Sequence, residues 1–200
     1  MENRNKLLKY IKADTIREYG QFKWIYFVNG LLTHRTYRVI ILMRLCQAAS
    51  NSHGVLNLFS FPLKRLHSLS IHLAGMDFPW KTNVGAGLVM PHGWGAAINS
   101  NAKIGRNVTI FHGVTIGQRD RASQDGRRIS EYPVIEDEVW IGPHAIIVGG
   151  IVVGRGSRIA GGAFVTTNIP PYSLVVGNPS SIVKTNCIPD TVNKVSFEYI

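Results

Sequence analysis

The stretch GLVMPHGWGAAINSNAKIGRNVTIFHGVTIG, residues 87–117, places an aliphatic residue followed by a small one at six-residue intervals along much of its length. A fixed short period of this kind is typical of a solenoid, in which each repeat stacks on the one before it. Two histidines, His92 and His112, interrupt the pattern of small and aliphatic residues. The question is what these two side chains do in a repeat that is otherwise built for packing.

The aliphatic position recurs in ten units, arranged in two blocks. It is occupied by Ile98, Ile104, Ile110 and Ile116, and then by Ile135, Ile141, Ile147, Val153, Ile159 and Val165. A hexapeptide period predicts a β-helix, in which three units, each a short strand and a turn, form one triangular coil. The aliphatic side chains then point into the prism and stack on their equivalents in the next coil.

The six-residue frame breaks at two places. Between Met90 and Ile98 the spacing is eight residues, so two extra residues fall beside His92. Between Ile116 and Ile135 the spacing is nineteen residues, and the interval is polar and contains glycine. We interpret the second interval as a loop that leaves the prism, and loops on a rigid scaffold are where binding groups tend to lie.

Residues 1–75 show a different pattern, with apolar residues at helical spacing and an excess of basic charge. They contain eleven Lys and Arg against three Asp and Glu, whereas the rest of the chain contains eleven against nine. Such a region is either a solvated face or a contact surface for an anionic partner, such as a membrane or a lipid-linked phosphate. Because no nucleic-acid-binding motif is recognised, we expect no nucleic-acid partner.

Composition predicts a cytoplasmic protein that binds no metal. The two cysteines, Cys46 and Cys187, lie far apart and match no metal-site spacing. The polar N-terminus lacks the apolar segment of a signal peptide. No apolar run reaches the roughly 18 residues of a membrane span.

Three segments carry a resemblance to a known family: NAKIGRNVTIFHGVTIG, YPVIEDEVWIGPHAIIVGGIVVGRGSRIAGGAFV and IPPYSLVVGNPSSIV. They resemble the serine acetyltransferase-like branch of the hexapeptide-repeat acyltransferases. The basic helical start resembles that of bacterial exopolysaccharide and capsule O-acetyltransferases in the same branch. The resemblance implies a left-handed parallel β-helix, a homotrimer, and acetyl-CoA as the donor, bound in the groove between adjacent prisms.

The predicted organisation has three parts. A basic α-helical region covers residues 1–75, and a left-handed β-helix acetyltransferase domain covers residues 76–184, with an excursion loop at about 118–133. A C-terminal tail covers residues 185–200. The fold class is therefore mainly β, preceded by helices.

The resemblance also implies the catalytic residues. The family's catalytic histidine lies in a segment of the form (L/M)-x-H-(A/G)-x-G, which matches MPHGWG and assigns the role to His92. The family's partner acid lies fifteen residues earlier, and that position is Asp77. A neutral imidazole can remove the proton of an acceptor hydroxyl as it attacks a thioester, while a carboxylate holds the ring in one tautomer.

Two further groups of residues are candidates for binding. His112 follows His92 by one coil of eighteen residues plus the two extra residues, so we expect it nearly above His92; the alternative is a solvent-facing corner residue. The candidate acceptor-binding residues are His112, Trp94, Glu131 and Tyr132. By resemblance, the candidate donor-binding residues are Gly117, Ser157, Arg158, Gly161, Gly162 and Lys184.

The expected acceptor is a saccharide hydroxyl. Family members that acetylate serine carry Asp directly before the catalytic histidine and R-H-P before the post-loop repeats; here these are Pro91 and Glu131-Tyr132-Pro133. Unpaired charges of serine would cost on the order of several kcal/mol. We therefore predict an O-acetyltransferase of exopolysaccharide, capsule or O-antigen biosynthesis, with peripheral contact to the inner membrane through the basic helices. Alternatives are a serine O-acetyltransferase, a sugar N-acetyltransferase and a non-catalytic scaffold.

Overall fold

In the computed structural model, the chain forms a layer of helices followed by a parallel β-helix. The structure describes residues 2–51, 55–123 and 125–196. The helices are α1 (Glu2–Tyr19), α2 (Trp24–Thr33), α3 (Arg35–Ser50), α4 (Val55–Leu58) and α5 (Ser60–Ala74). Residues 197–200 of the predicted tail lie outside the described residues.

Short strands follow the helices and build the prism. The strands are β1 (Asn83–Val84), β2 (Ala97–Ile98), β3 (Lys103–Ile104), β4 (Thr109–Ile110), β5 (Thr115–Gly117), β6 (Arg119–Ala122), β7 (Arg128–Glu131), β8 (Val134–Ile135), β9 (Trp140–Ile141), β10 (Ile146–Val148), β11 (Val152–Val153), β12 (Arg158–Ile159), β13 (Phe164–Val165), β14 (Leu174–Val176) and β15 (Ser181–Lys184). Face A contains β2, β5, β10 and β13; face B contains β1, β3, β8 and β11. Face C contains β4, β9, β12 and β14, with β15 antiparallel to β14 at its end.

The inward positions form continuous aliphatic ladders. On face A the register pairs Ile98 with Ile116, Ile116 with Ile147, and Ile147 with Val165. These four side chains are at most 2% exposed. Because one coil alone leaves its inner face open to water, the stability of the prism comes from stacking. The positions that the hexapeptide pattern predicts to be internal are therefore internal.

The helical layer packs around α3. Helices α1, α2 and α5 each contact α3, and its buried side chains Val39, Ile40 and Met43 join the core of the prism. Among the described helices, none is both long and apolar enough to cross a bilayer. The helices thus form a base on the first coils of the prism.

A buried ion pair fastens this base to the first coil. Arg44 Nε lies 2.9 Å from Asp14 Oδ2, and the two side chains are 1% and 0% exposed. Asp14 Oδ1 also accepts hydrogen bonds from the backbone N–H groups of Gly87 and Leu88, at 2.8 and 3.0 Å. Arg44 donates another hydrogen bond to the carbonyl of Gly85. Both charges are therefore paired and hydrogen-bonded, which is what makes their burial tolerable.

The first frame break produces a longer turn. Val89 pairs with Thr109, twenty residues later, whereas Ala97 pairs with Thr115, eighteen residues later. The two extra residues therefore lie between Val89 and Ala97. His92 is in this segment, at the corner where the chain passes from face C to face A.

The second frame break contains two antiparallel strands, the excursion hairpin, where the sequence predicted only a loop. Strands β6 and β7 pair antiparallel, with Arg119 opposite Glu131 and Ala122 opposite Arg128. Asp120 accepts hydrogen bonds from Arg128 and Ser130 across the two strands. Polar and oppositely charged cross-strand pairs can stabilise a hairpin without an apolar core. The hexapeptide pattern could not predict this because it reports only inward aliphatic positions.

Adjacent isoleucines of β10 provide a test of the prism core. Ile147 points inward and is fully buried, whereas Ile146 points outward and is 39% exposed. We expect Ile147→Val to lower the free energy of unfolding by about 0.5–1.5 kcal/mol, because one methyl group of the ladder is lost. Ile146→Val is the matched control and should have a smaller effect. Denaturant unfolding of both variants measures the difference, and equal effects would contradict the inward assignment.

Candidate active site

His92 lies in the turn that the two extra residues create. Its φ of 50° is in the left-handed region, and its side chain is exposed. The N–H of Gly113 donates to the carbonyl of Trp94 at 3.0 Å, which restores the eighteen-residue register just after this turn. The inserted turn therefore carries His92 away from the regular wall of the prism.

Asp77 lies at the start of face A, close to the same turn. Its N–H donates to the carbonyl of Ala96 at 2.8 Å, and the N–H of Gly95 donates to the carbonyl of Gly75 at 2.7 Å. These two bonds join the segment of Asp77 to the segment that follows His92. Both side chains are exposed, and within the described ranges no hydrogen bond links them. Catalytic hydrogen bonds are often absent or long in ligand-free enzymes and shorten when substrate binds.

His92 lines a cavity between the helical layer and face C, with a volume of about 370 Å³. Four segments enclose it: the end of α1, the junction of α2 and α3, the outer side of face C, and the C-terminal tail. The side chains that matter for its chemistry are Arg17, Glu18, His34, His92 and Asp190. Sequence reasoning identified only His92 among these five as a site residue.

The Glu18 carboxylate and the His34 ring are in contact in the wall of this cavity. Glu18 Oε1 lies 3.3 Å from His34 Nε2, and the side chains are 14% and 42% exposed. Burial raises the pKa of the Glu18 carboxyl, while the nearby charges of His34 and Arg17 act in the opposite direction. The cavity therefore holds a carboxylate that has lost most of its hydration.

Arg17 joins α1, face C and the tail at the base of the cavity. Its guanidinium donates to the Gly87 carbonyl at 3.0 Å, to Thr109 Oγ1 at 2.7 Å and to the Val192 carbonyl. Burial lowers the pKa of Arg17 to about 10, against the opposing effect of Glu18 and Asp14. Arg17 therefore contributes a buried positive charge beside Glu18.

The C-terminal tail closes another side of the cavity. Asp190 Oδ2 lies 2.7 Å from an Arg158 guanidinium nitrogen, and the Arg158 guanidinium also lies 4.3 Å from the centre of the Trp140 ring. Further along, Asn193 donates to the carbonyl of Arg17. The tail is thus attached both to the prism and to α1.

His112 lies beside Trp94, not directly above His92 as its spacing predicted. The rings of Trp94 and His112 stack with centroids 5.0 Å apart, and the His144 ring meets His112 edge-on at the same distance. The reason is that the two extra residues lie before Trp94, so Trp94 takes the position eighteen residues before His112. Neither His112 nor Trp94 is among the residues that line the His92 cavity.

Glu131 and Tyr132 are also away from this cavity within one chain. The Glu131 carboxylate lies 3.2 Å from Arg119 and 2.9 Å from Arg121 in the excursion hairpin. Hydrogen bonds from Arg119, together with the charge of Arg121, hold the pKa of Glu131 below its usual range. Tyr132 follows at the foot of the hairpin. The structure does not bring these two residues to His92.

The candidate donor-binding residues are spread over several faces. Ser157 is fully buried, donates to the Pro170 carbonyl and accepts from the Ser173 N–H, so its hydroxyl cannot reach a bound pantetheine arm as predicted. Arg158 is engaged with Asp190 and Trp140 on face C. The others, Gly117 at the end of β5, Gly161 and Gly162 at an exposed corner, and Lys184 at the end of β15, are accessible.

Comparison with known proteins identifies the family. Residues 132–167 match the family model described as bacterial transferase hexapeptide (six repeats). The chain is 34% identical over 128 residues to the serine acetyltransferase of Bacillus subtilis, covering 64% of this chain but only 57% of that relative. It is 31% identical over 125 residues to the serine acetyltransferase of Helicobacter pylori, covering 62% of this chain and 70% of that relative.

A solved structure of another serine acetyltransferase supports the fold. The serine acetyltransferase of Brucella abortus in complex with coenzyme A aligns with a TM-score of 0.69 and 28% identity, covering 92% of this chain and 69% of that one. The predicted left-handed β-helix with an N-terminal helical region is therefore confirmed.

The predicted saccharide O-acetyltransferase of exopolysaccharide or capsule biosynthesis is wrong. The matched relatives and structures are serine acetyltransferases, which agrees with the stated alternative. The prediction rested on the charges missing at Pro91 and Glu131-Tyr132, and it could not take account of the charged residues that the helices place around His92. Since 70% of the Helicobacter pylori relative is matched at 31% identity, the chain belongs to the serine acetyltransferase family of hexapeptide-repeat acyltransferases.

Proposed function

We propose that this protein transfers the acetyl group of acetyl-CoA to the hydroxyl group of L-serine. The observation that carries the proposal is an exposed His92 in a turn inserted into the β-helix, opening into a cavity of about 370 Å³. The similarity to two serine acetyltransferases supports serine as the acceptor. The similarity to the Brucella abortus serine acetyltransferase in complex with coenzyme A supports acetyl-CoA as the donor.

In this mechanism His92 is the general base. Its neutral imidazole removes the serine hydroxyl proton as the oxygen attacks the thioester carbonyl, which forms a C–O bond and an oxyanion. When the intermediate collapses, the C–S bond breaks, and the imidazolium returns the proton to the leaving thiolate of coenzyme A. O-acetylserine and free coenzyme A are the products, and no redox change occurs.

Asp77 is the proposed partner of His92. A carboxylate beside the imidazole would hold one tautomer and stabilise the imidazolium that forms in the transition state. Asp77 has an exposed carboxylate and is joined to the His92 turn through the hydrogen bonds at Gly95 and Ala96.

For the donor, we propose that Lys184 and Arg158 face the phosphates of coenzyme A, and that Gly117, Gly161 and Gly162 allow close approach of its pantetheine arm. Phosphates are bound well by Lys and Arg. Gly162 has a φ of 70°, and a Cβ there would meet nothing within 4 Å, so this corner has open space beside it. Ser157 has no part in this proposal.

The functional unit that we propose is a cytoplasmic homotrimer. Within one chain, His112, Trp94, Glu131 and Tyr132 are not among the residues that line the His92 cavity. A neighbouring copy would bring such residues to the intersubunit groove, where the family resemblance puts the donor. Membrane contact through the basic helices finds no support in the relatives and stays a prediction.

The test is a thiol-release assay with purified protein, acetyl-CoA and L-serine. We expect release of coenzyme A that depends on L-serine, and a product that is heavier than serine by one acetyl group. L-alanine, which lacks the hydroxyl, is the matched control and should give no release. Turnover of sugars or amino sugars without turnover of L-serine would contradict the proposal.

A further inference from the structure

A second cavity lies between α1, α3 and the segment 80–84, which ends in β1. We call it the α1–α3 cavity, and its volume is about 360 Å³. None of the residues that line it also lines the His92 cavity, and none is among the residues proposed to bind the donor. Its volume is in the range of sites that bind small molecules. It is therefore a candidate site that the acetyl transfer does not use.

The α1–α3 cavity is positively charged. Lys6 of α1, Lys81 and the buried Arg44 line it, and no acidic side chain is among the described residues of its wall. The charge of Arg44 is balanced by Asp14. The two lysines are exposed, and neither forms an ion pair with any described residue. Two ammonium groups without a counter-charge favour an anionic ligand.

The same wall offers two aromatic rings. Lys6 Nζ lies 5.6 Å from the centre of the Tyr10 ring, and Lys81 Nζ lies 5.8 Å from the centre of the Trp80 ring. Both rings line the cavity and are half-buried. Aromatic surface next to ammonium groups suits a ligand that has a planar organic part as well as a negative charge.

Hydrogen bonds from α3 fix the position of the wall that carries Trp80. The side-chain amide of Gln47 donates to the carbonyls of Trp80 and Thr82, both at 3.0 Å. The segment that carries Trp80 and Lys81 is thus attached to α3 before any ligand binds. A wall that is already in place lowers the entropic cost of binding.

Buried polar groups of this wall lack partners. Arg44 has five N–H donors. It makes two hydrogen bonds to the Asp14 carboxylate and one each to the carbonyls of Val84 and Gly85, which leaves one donor. Thr82 is fully buried, and its Oγ1 has no hydrogen-bond partner in the described part of the chain. Such groups are uncommon in folded proteins, and the oxygen atoms of an anion would supply the missing acceptors.

We propose that the α1–α3 cavity binds a phosphate monoester with a planar organic part, such as a nucleoside monophosphate. A phosphate monoester carries a charge of about −1.5 to −2 at pH 7, which the ammonium groups of Lys6 and Lys81 would balance. Lysine binds phosphate well as a point charge. The planar part would pack on the ring of Tyr10 or Trp80. This site adds a second ligand to the protein and does not depend on the proposed acetyl transfer.

Calorimetric titration of uridine monophosphate into the unmodified protein tests the proposal. This probe has a ring and a phosphate but lacks the adenine of coenzyme A. We expect saturable binding of one molecule per chain. Uridine, which lacks the phosphate, and inorganic phosphate, which lacks the ring, should each bind at least about 10-fold more weakly, because one half of the interaction is lost.

Lys6→Gln and Lys81→Gln should each raise the Kd for uridine monophosphate about 10-fold, because each removes one charged donor to the phosphate. Lys12→Gln is the matched control. Lys12 is also an exposed lysine of α1 beside an aromatic ring, that of Phe22, but it does not line the cavity. Its replacement removes the same charge and should leave the Kd unchanged.

Saturation with coenzyme A separates this cavity from the donor site and should leave the Kd for uridine monophosphate unchanged. Competition between the two ligands would place the probe in the donor site and overturn the proposal. It is also overturned if uridine monophosphate does not bind, if inorganic phosphate binds equally well, or if Lys12→Gln weakens binding as much as Lys81→Gln.

Discussion

His92→Asn should lower kcat/KM for acetyl transfer about 10²–10⁴-fold, the range that a positioned general base contributes. The reason is that the serine hydroxyl would have to lose its proton to water while it attacks the thioester. Asparagine is preferred to alanine here because the residue has a φ of 50°, a conformation that asparagine adopts readily. The loss should appear in kcat, with the KM for acetyl-CoA little changed.

His144→Asn is the matched control. His144 is also exposed, also has a positive φ of 57°, and also lies at the corner between faces C and A. It lies in a regular turn and does not line the His92 cavity. Equal losses in the two variants, or more than a tenth of the activity remaining in His92→Asn, would rule out a general-base role for His92.

Asp14→Ala should lower the free energy of unfolding by about 3–5 kcal/mol, the cost of leaving one member of a buried ion pair without its partner. Arg44 would keep its charge at 1% exposure with no carboxylate beside it. The N–H groups of Gly87 and Leu88 would lose their acceptor as well. Because these groups join α1 and α3 to the first coil, we expect the helical layer to loosen from the prism.

Denaturant unfolding monitored by circular dichroism checks this prediction. Asp125→Ala is the control, since its ion pair with Arg127 is exposed and such pairs contribute little. It should leave the unfolding midpoint unchanged. An Asp14→Ala protein with the same midpoint as the unmodified one would show that the buried pair contributes nothing to stability.

The prism was largely predictable because its signal is local and repeated. Each inward aliphatic residue is dictated by its own hexapeptide, and the register then follows from counting coils. The same counting located the inserted turn at His92. Counting did not predict the neighbour of His112 correctly, because a count does not show at which residue of a turn the two extra residues are inserted. The family resemblance, which assigned Ser157 to the donor site, failed because a matching motif does not distinguish a hydroxyl that faces the prism interior from one that faces a groove.

The charged wall of the cavity could not be predicted from spacing. Glu18, His34 and Asp190 lie in three segments that are distant from His92 in the sequence, and helical periodicity shows only which face of a helix is buried. Because the sequence did not reveal those charged residues near His92, the substitutions at Pro91 and Glu131-Tyr132 led to the prediction of a saccharide acceptor. The comparisons with serine acetyltransferases correct that prediction.

By itself, then, the sequence determined the β-helix, its inward ladders, the turn that carries His92 and the interval to Asp77. These depend on residues that are neighbours along the chain or one coil apart. Only the tertiary structure decided which side chains surround His92, because α1, the α2–α3 junction and the tail reach the cavity through long-range packing. Burial among those segments, and not their local sequence, is what leaves Glu18 poorly hydrated and raises the pKa of its carboxyl.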